Sequence, residues 1–446
     1  MTPIAKTWSR TALLLLFPAI AFTIKGLVLF AGIPAFQALN PDDYQADMFP
    51  DRFDFIASNL IDGNGYRFFP DTAETTIRTP GFVLVLAGIF FVFGKSLWAV
   101  KAFNLVLSAI TAWLVYRLGL RITSSASVAA VGSLLYFFYP GTILADSRGG
   151  VDSLYTFSIA LFMFLLFRAL ESKKTIDFAA AGACFGALIL VKSSAGLFPA
   201  SLLIYLLAVR PNGGRIRTEL ANFAVLAAAA ALVMSPWVIR NAELTGRFIP
   251  TMSVGGLTAF EGLYVVKNQH RGKEHNELIW EAIGQQVEIA KSMGLRFSEK
   301  ETVFPQFYTT EDELRYYDHL GELVVDEFLQ RPDVLIQTIG NNAVGFWFQG
   351  RTKTATFYNI ILSAPFLLLA VVGLGLSVLR KYPVFPLVLF IGTFYIAHLP
   401  ILGVARYSIP LVPLISIFAA IALGWLGEVF CRKWVSARAV GKRAAT

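Results

Sequence analysis

Long apolar segments recur along this chain and alternate with short stretches that are rich in lysine, arginine and glycine. An α-helix needs roughly 20 apolar residues to cross a bilayer, so segments approaching that length predict membrane spans. The predicted spans cover residues 11–33, 97–116, 126–139, 151–167, 178–191, 195–209, 220–239, 358–379, 384–399 and 408–425. The pattern therefore predicts an all-α polytopic membrane protein with about ten transmembrane helices.

A further apolar segment, 81–94, decides how the chain is oriented. If it crossed the membrane, Arg117 and Arg121 would lie on the same side as the acidic loop that precedes it. If it lies along the outer surface or dips into it, the basic loops 168–174 and 210–217 fall on the cytoplasmic side with both termini. The second arrangement agrees with the enrichment of Lys and Arg in cytoplasmic loops. We therefore expect 81–94 to be an interfacial or re-entrant helix.

Two long segments, 34–97 and 240–356, are then predicted to lie outside. The first is expected to carry interfacial helices, and the second shows helical patterns at 277–293 and 311–330. Because 240–356 is short and polar, we expect it to be a small α-rich domain that covers a site made by the membrane domain. The predicted domains are an N-terminal transmembrane domain with the first outer loop, an outer domain, and C-terminal helices with a basic cytoplasmic tail: 1–239, 240–356 and 357–446.

Composition supports the same class of protein. Hydrophobic residues make up 56% of the chain and charged residues 15%, with a mean hydropathy of +0.60, which is typical of polytopic membrane proteins. The net charge of +8 comes from basic residues scattered through short loops, and this favours a membrane protein over one that binds nucleic acid. Cys184 and Cys431 predict neither a disulfide framework nor a thiolate metal site. No cofactor is indicated, although clustered carboxylates could bind a divalent cation.

Acidic residues cluster just after the first predicted span. The cluster contains Asp42, Asp43, Asp47, Asp51, Asp54 and Asp62. Residues 11–36, by contrast, carry Lys25 as their only charge. Carboxylates at a membrane surface can take a proton from a sugar hydroxyl or bind a cation. A solvated polar loop explains any one of these aspartates, but it is a weaker explanation of the whole cluster.

Five sequence blocks follow one another in an order that resembles a known family. They are 53–60 with 63–66, 78–82, 138–140 with 151–155, 235–241 with 246–250 and 255–256, and His398 with 406–413. Their order is similar to that of the lipid-phosphate-sugar-dependent glycosyltransferases of the GT-C superfold, which include protein O-mannosyltransferases and bacterial aminoarabinose transferases of lipid A. The resemblance covers most of the chain. It implies a glycosyltransferase of the bacterial inner membrane, with a polyprenyl-phosphate sugar as donor and a saccharide, lipid or protein as acceptor on the periplasmic face.

The resemblance also implies that a carboxylate of the first outer loop is the catalytic base of an inverting transfer. The family's aspartate position corresponds here to Phe49, and the nearest acids are Asp47 and Asp51. Asp51 is the first candidate for the base that deprotonates the acceptor hydroxyl, and Asp54 is the second. Asp152 stands where the family usually has a glutamate, and it would orient the base or the acceptor. Capping of helix N-termini is the alternative role for Asp51 and Asp152.

Basic residues predicted at outer helix ends run against the usual charge distribution of membrane proteins and suggest a site for the donor phosphate. The candidates for substrate binding are Arg78, Lys192, Arg240, Arg247, Arg406 and Tyr407. Contact with lipid headgroups is the alternative for Arg240 and Arg247. An ion pair with Asp71 or Glu74 is the alternative for Arg78. These alternatives remain open at the level of the sequence.

Two lysines, Lys25 and Lys101, lie inside apolar runs. A charge in such a position is costly in a bilayer unless it faces protein or water. We therefore expect both side chains to pair with polar groups inside the helix bundle.

A transporter or flippase of lipid-linked saccharides is the main alternative to an enzyme. It predicts paired broken helices and intramembrane acids within an inverted repeat. The acids of this chain are concentrated at the predicted outer surface instead. A scaffold protein is a third class, but it gives no reason for the five ordered blocks.

Overall fold

The computed structural model describes residues 18–35, 49–211, 215–298, 300 and 304–443, with side chains described as far as Cys431. Within these residues the regular secondary structure is helical apart from one short hairpin of β1 (Phe297–Ser298) and β2 (Gln306–Phe307). The helices are α1 (Pro18–Ala35), α2 (Phe53–Ile61), α3 (Pro80–Phe93), α4 (Leu97–Thr123), α5 (Ala126–Phe137), α6 (Pro140–Asp146), α7 (Asp152–Ser172), α8 (Thr175–Val191), α9 (Phe198–Val209), α10 (Ile216–Thr245), α11 (Gly255–Asn268), α12 (His275–Ser292), α13 (Thr310–Gln330), α14 (Pro332–Phe348), α15 (Lys353–Leu379), α16 (Phe385–His398) and α17 (Val412–Arg443). Short 3₁₀ turns are Ser193–Ala195, Gln269–Arg271 and Ala405–Leu411.

The described chain contains six helices that are long and apolar enough to cross a membrane: α1, α4, α7, α10, α15 and the segment Ala405–Cys431 that includes most of α17. The bent pair α5 and α6 adds a seventh span if it is counted as one element. Shorter apolar helices are α3, α9 with its preceding 3₁₀ turn, α8 and α16. These elements coincide with the predicted spans and with the separate segment 81–94. The prediction of an all-α polytopic membrane protein is confirmed.

The break between α5 and α6 brings a polar loop to the start of α7. The two helices are bent by 53° because Pro140 has no N–H to continue the ladder of hydrogen bonds. The hydroxyl groups of Tyr139 and Ser363 lie 2.7 Å apart and tie the bend to α15. The chain after α6 then runs directly to Asp152, the first residue of α7. The bend therefore determines where the Asp152 carboxylate is placed.

Small residues allow the membrane helices to approach closely. A side chain at Gly182 of α8 would collide with the backbone carbonyl of Leu226 in α10. Gly186, one turn later, faces Ala230 in the same way. Small residues spaced four apart are a common means of packing helices in membranes, where close van der Waals contact replaces the hydrophobic effect. The α8–α10 contact holds the C-terminal end of α8, and with it Lys192, in place.

Both lysines predicted to lie inside the bundle are buried. The Lys25 Nζ lies 2.6 Å from Asp146 Oδ2 and donates to Ser108 Oγ at 2.7 Å. The Ser153 hydroxyl donates to the second oxygen of Asp146 at 2.6 Å. The Lys101 ammonium lies 5.3 Å from the ring centroid of Trp98. The expectation of polar partners inside the bundle is confirmed for Lys25, which links α1 to the start of α7.

Helices α11 to α14 and the hairpin belong to the segment that is predicted to lie outside, and they are called the outer part of the structure below. The predicted helices 277–293 and 311–330 are present as α12 and α13. Thr309 caps α13, since its side chain accepts a hydrogen bond from the Asp312 amide at 3.1 Å. Glu311 and Asp312 lie in the first turn, where negative charge complements the helix dipole. These local signals explain why the sequence predicted the start of α13.

An extended strap, residues 71–79, attaches the first outer loop to this outer part. The Ala73 amide donates to the Phe307 carbonyl at 3.0 Å. The Thr76 amide and hydroxyl donate to one carboxylate oxygen of Glu313, at 2.9 and 3.1 Å. Burial raises the pKa of Glu313, and the hydrogen bonds from the strap oppose that shift. The strap fixes Arg78 at the junction between the two parts of the chain.

The predicted orientation can be tested by labelling cysteines in intact cells. Ser292, at the exposed end of α12, and Ser172, at the exposed end of α7, are predicted to lie on opposite sides of the membrane. In a chain carrying Cys184→Ala and Cys431→Ala, we expect Ser292→Cys to react with an impermeant thiol reagent and Ser172→Cys to react only after permeabilisation. The reverse pattern would contradict both the orientation and an outer-face site.

Candidate active site

One arginine joins two carboxylates that the sequence singled out. Arg406 donates from Nη1 and Nη2 to the two oxygens of Asp51, at 3.0 and 2.5 Å. Its Nε donates to Asp152 Oδ2 at 2.6 Å. Two parallel bonds from a guanidinium to a carboxylate are a strong and directional arrangement. The structure therefore brings together three of the predicted site residues from distant parts of the chain.

Each of the three residues is placed by its own local structure. Asp51 lies in a turn that Arg52 ends with a left-handed backbone, φ 57°, before α2 begins at Phe53. Asp152 begins α7 after the bend at Pro140, and Arg406 lies in the 3₁₀ turn Ala405–Leu411. Arg52 is the N-cap of α2 and Val151 that of α7. Capping, the alternative role for Asp51 and Asp152, is therefore wrong for both.

Gly150 makes room for the guanidinium. A Cβ at this position would lie 3.2 Å from Arg406 Nη2 and 3.6 Å from Asp51 Oδ2. Such a contact is tighter than most that real side chains make, so a larger residue would press on the ion pair. The absence of a side chain at Gly150 allows the loop before α7 to close on the Arg406–Asp51 pair.

Two more cations border the Asp51 carboxylate. Arg78 Nη2 donates to the Asp51 carbonyl at 3.2 Å, and the Lys192 Nζ lies 4.9 Å from the ring centroid of Tyr407. Burial alone would raise the pKa of Asp51, but Arg406, followed by Arg78 and Lys192, holds it well below its usual range. Burial lowers the pKa of Lys192, and Asp152 and Asp51 oppose this shift. Asp51 is therefore ionised at any physiological pH.

The remaining predicted residues lie apart from this centre. Asp54 forms an ion pair with Lys95 at 2.7 Å. Arg240 donates to Glu74 at 3.0 Å and to the Thr75 carbonyl at 2.9 Å. Glu74 pairs with Arg240, and Asp71 pairs with Lys300. Arg78 therefore contacts Asp51 and not Asp71 or Glu74, which were its alternative partners.

Arg247 lies at the surface of the outer part of the structure. Its pair with Asp318, at 2.5 Å, is about half exposed on both sides. An exposed pair of this kind contributes little to stability, typically 0–1 kcal/mol. Arg247 is therefore engaged in a surface ion pair with Asp318 rather than with the carboxylates of the Arg406 centre.

A carboxyl group that the sequence did not reveal lies close to the site. Glu261, half-buried on α11, interacts electrostatically with Arg78. Burial raises the pKa of Glu261 to about 7, against the effects of Gln286 and Arg78. Glu261 belongs to no acidic cluster, and the outer domain was expected only to cover the site. Its proximity to Arg78 arises from tertiary packing, for which the sequence offers no local signal.

The described residues contain no group of three or more His, Cys, Asp or Glu side chains arranged to hold a metal ion. The acidic cluster that prompted the expectation of a cation includes Asp42, Asp43 and Asp47, which lie outside the described residues. Among the described residues, Asp51 and Asp152 are held by Arg406 and lie near Arg78 and Lys192.

These helices and this charged centre define a polytopic α-helical membrane protein with a candidate site at the junction of its membrane and outer parts. Residues 77–239 match the sequence model of the dolichyl-phosphate-mannose-protein mannosyltransferase family. The matched region contains Arg78, Asp152 and Lys192, and it includes the second, third and part of the fourth sequence blocks. Over residues 77–239, the predicted resemblance to lipid-phosphate-sugar glycosyltransferases is confirmed.

Two solved structures are similar to this chain. They are ArnT from Cupriavidus metallidurans bound to undecaprenyl phosphate, with a TM-score of 0.37 and 13% identity, and the same protein in its apo state, with a TM-score of 0.38 and 14% identity. The alignments cover 84% and 83% of this chain and 72% of each ArnT chain. No curated protein matches the chain.

Proposed function

We propose that this protein is an inverting glycosyltransferase of the inner membrane that transfers a sugar from a polyprenyl phosphate to an acceptor on the periplasmic face. The observation that carries the proposal is the contact of Arg406 with both Asp51 and Asp152. It places a base candidate beside a candidate ligand for the leaving phosphate. The acceptor is a saccharide, a lipid or a protein.

The centre has the charge needed to bind one phosphodiester. Arg78, Lys192 and Arg406 supply three positive charges, against two negative charges from Asp51 and Asp152. Guanidinium groups bind phosphate oxygens through short charge-assisted bonds, and fixed positive charge stabilises the anion that departs in the transition state. The excess of positive charge therefore favours a lipid phosphate at this position.

In the proposed reaction, the acceptor hydroxyl oxygen attacks the anomeric carbon of the donor. A new carbon–oxygen bond forms, the bond from that carbon to the phosphate oxygen breaks, and the electron pair leaves with the lipid phosphate. The hydroxyl proton passes to the Asp51 carboxylate. Attack from the face opposite the phosphate inverts the anomeric centre.

Arg406 connects phosphate binding to the activity of the base. While both Asp51 oxygens accept from Arg406, the carboxylate is held in its ionised form but is weakly basic. A phosphate that draws Arg406 toward itself would release one Asp51 oxygen for the acceptor. Asp152 would keep the guanidinium oriented through Nε, so the donor would activate the base when it binds.

An apolar cavity supports a long lipid chain as part of the donor. A cavity of about 350 Å³ lies between α5 and α15, lined by residues that include Leu135, Phe138 and Leu362. Tyr139 and Phe366 border both this cavity and a smaller space that Ser408, two residues after Arg406, also lines. A polyprenyl chain in this cavity would lead toward a phosphate at Arg406.

Conservative arginine variants test the function. A lysine cannot reproduce the two parallel bonds of an arginine, so we expect Arg406→Lys to weaken binding of undecaprenyl phosphate by about 10-fold or more. Arg240→Lys should weaken it less, because Glu74 and Thr75 already engage the Arg240 guanidinium. Binding is measured with purified protein, and transfer with a panel of undecaprenyl-phosphate sugars.

Arg247→Lys, at the exposed pair with Asp318, is the matched control and should leave donor binding unchanged. Unchanged binding in Arg406→Lys would move the phosphate site away from the proposed centre. If the protein moves the sugar lipid across the bilayer of proteoliposomes and transfers the sugar to no acceptor, it is a flippase and not a glycosyltransferase.

A further inference from the structure

Helix α11 packs tightly against two other segments, and this fixes the backbone that carries Glu261. Gly262 packs so closely on the backbone carbonyl of Ile401 that no side chain could fit there. At the start of α11, Gly256 lies against the Tyr317 carbonyl and Gly321 of α13. Since the chain reaches Arg406 five residues after Ile401, the same packing sets the position of Glu261 relative to the Arg406 centre.

Glu261 faces a polar cluster contributed by several elements. Its carboxyl group is near enough to Arg78 of the strap and to the phenol groups of Tyr316 and Tyr317 on α13 to interact with them electrostatically. It also interacts with Tyr407, whose ring lies 4.9 Å from Lys192 Nζ. The cluster therefore continues directly from the proposed phosphate site into the outer part of the protein.

Two polar atoms of this cluster are buried without a protein partner. The Tyr317 hydroxyl and the Arg78 Nε have no hydrogen-bond partner among the residues that the structure describes. Tyr317 is only 2% exposed. A buried donor left unsatisfied is unfavourable, so each such group calls for an explanation, and a bound ligand provides one here. Together with the Glu261 carboxyl they provide donors and acceptors at one place.

We propose that Glu261, Tyr317 and Arg78 form a subsite that hydrogen-bonds the hydroxyl groups of the sugar carried by the lipid donor. This inference rests on the proposed glycosyltransferase function. Arg78 donates to the Asp51 carbonyl and interacts electrostatically with Glu261, so a sugar attached to a phosphate at Arg406 would lie near both. A carboxyl group suits hydroxyls and repels phosphate, which distinguishes this subsite from the phosphate site beside it.

Binding of two lipids separates the subsite from the phosphate site. The probes are undecaprenyl phosphate and its glucose, mannose and arabinose conjugates, and the conjugate that the wild-type protein binds most tightly is used for the variants. We expect Glu261→Gln and Glu261→Ala to weaken binding of that conjugate by about 10-fold. Binding of bare undecaprenyl phosphate should change less than 2-fold, within roughly 0.4 kcal/mol. Glu243→Gln, an exposed position on α10, is the control and should match the wild type.

The pH dependence of binding gives a second readout. The conjugate is a phosphodiester, which does not titrate near neutrality. Burial raises the pKa of the Tyr316 and Tyr317 phenols above its usual range, so they stay neutral between pH 6 and 8. The other groups that interact with Glu261 are Arg78 and the Tyr407 phenol. The pKa of Glu261 is about 7, so its ionisation should strengthen acceptance from sugar hydroxyls as pH rises through this range. We expect this dependence to be absent in Glu261→Gln.

The outcomes distinguish failure of the subsite from failure of the function. Equal loss of affinity for both lipids, or no loss for either, would overturn the subsite while leaving a lipid-phosphate site in place. The same conclusion follows if the wild-type protein binds every conjugate no better than the bare phosphate. A wild-type protein that binds neither lipid would overturn the proposed function, and the sugar subsite with it. Melting temperatures of the variants verify that each is folded.

Discussion

Asp51→Asn is expected to lower the rate of sugar transfer by roughly two to four orders of magnitude, the usual contribution of a general base. Asparagine keeps the size of the side chain but cannot take a proton from the acceptor hydroxyl. It also removes the negative charge that holds both Arg406 Nη atoms. Turnover with the preferred undecaprenyl-phosphate sugar is the measurement. Binding of undecaprenyl phosphate should persist, because Asp51 no longer competes for the guanidinium.

Two further aspartates serve as comparisons. Asp54→Asn should have a weaker effect, because Asp54 is paired with Lys95 rather than with the Arg406 centre. Asp152→Asn should give an intermediate loss, as expected of a residue that orients Arg406. Full turnover in both Asp51→Asn and Asp54→Asn would place the base at Asp43 or Asp47. If Asn variants of Asp43, Asp47, Asp51 and Asp54 all keep full turnover, the general-base mechanism is wrong.

The helices of this protein were predictable because each is encoded locally. Apolar length predicted the membrane elements, and the Thr309 cap with acidic residues behind it marked the start of α13. The break at Pro140 and the helix beginning at Pro80 follow from the single missing N–H of proline. Such signals involve neighbouring residues, so no tertiary information was needed to interpret them.

The pairing of charges was not predictable in the same way. Arg406 and Asp51 are 355 positions apart, and nothing local indicates that Arg406 rather than Arg240 meets the first-loop acid. Arg240 instead meets Glu74, and Arg78 is thereby left to contact Asp51. The sequence identified the residue types suited to the chemistry, while the fold selected which of them meet. Glu261 was missed because its neighbours, Arg78 and Tyr407, come from other elements.

Lys25→Met is expected to destabilise the protein by about 3–5 kcal/mol, the cost of leaving one member of a buried ion pair alone. Lys25 and Asp146 are both almost fully buried, and their charged atoms lie 2.6 Å apart. Without the ammonium, Asp146 would remain in an apolar environment where an isolated carboxylate is very costly. Thermal unfolding in detergent measures the loss. Lys101→Met is the matched control, since Lys101 is similarly buried but lies beside the Trp98 ring.

The double variant Lys25→Met/Asp146→Leu shows whether the loss comes from the orphaned charge. Replacement of both members of a buried pair by apolar residues is often neutral, so the double variant should recover most of the stability lost in Lys25→Met. It should not recover full transfer activity, because Ser153, next to Asp152, still loses the carboxylate to which it donates. Equal stability of Lys25→Met and Lys101→Met would show that the ion pair does not hold α1 in the bundle. Recovery of full activity together with stability would show that Asp146 has no part in positioning Asp152.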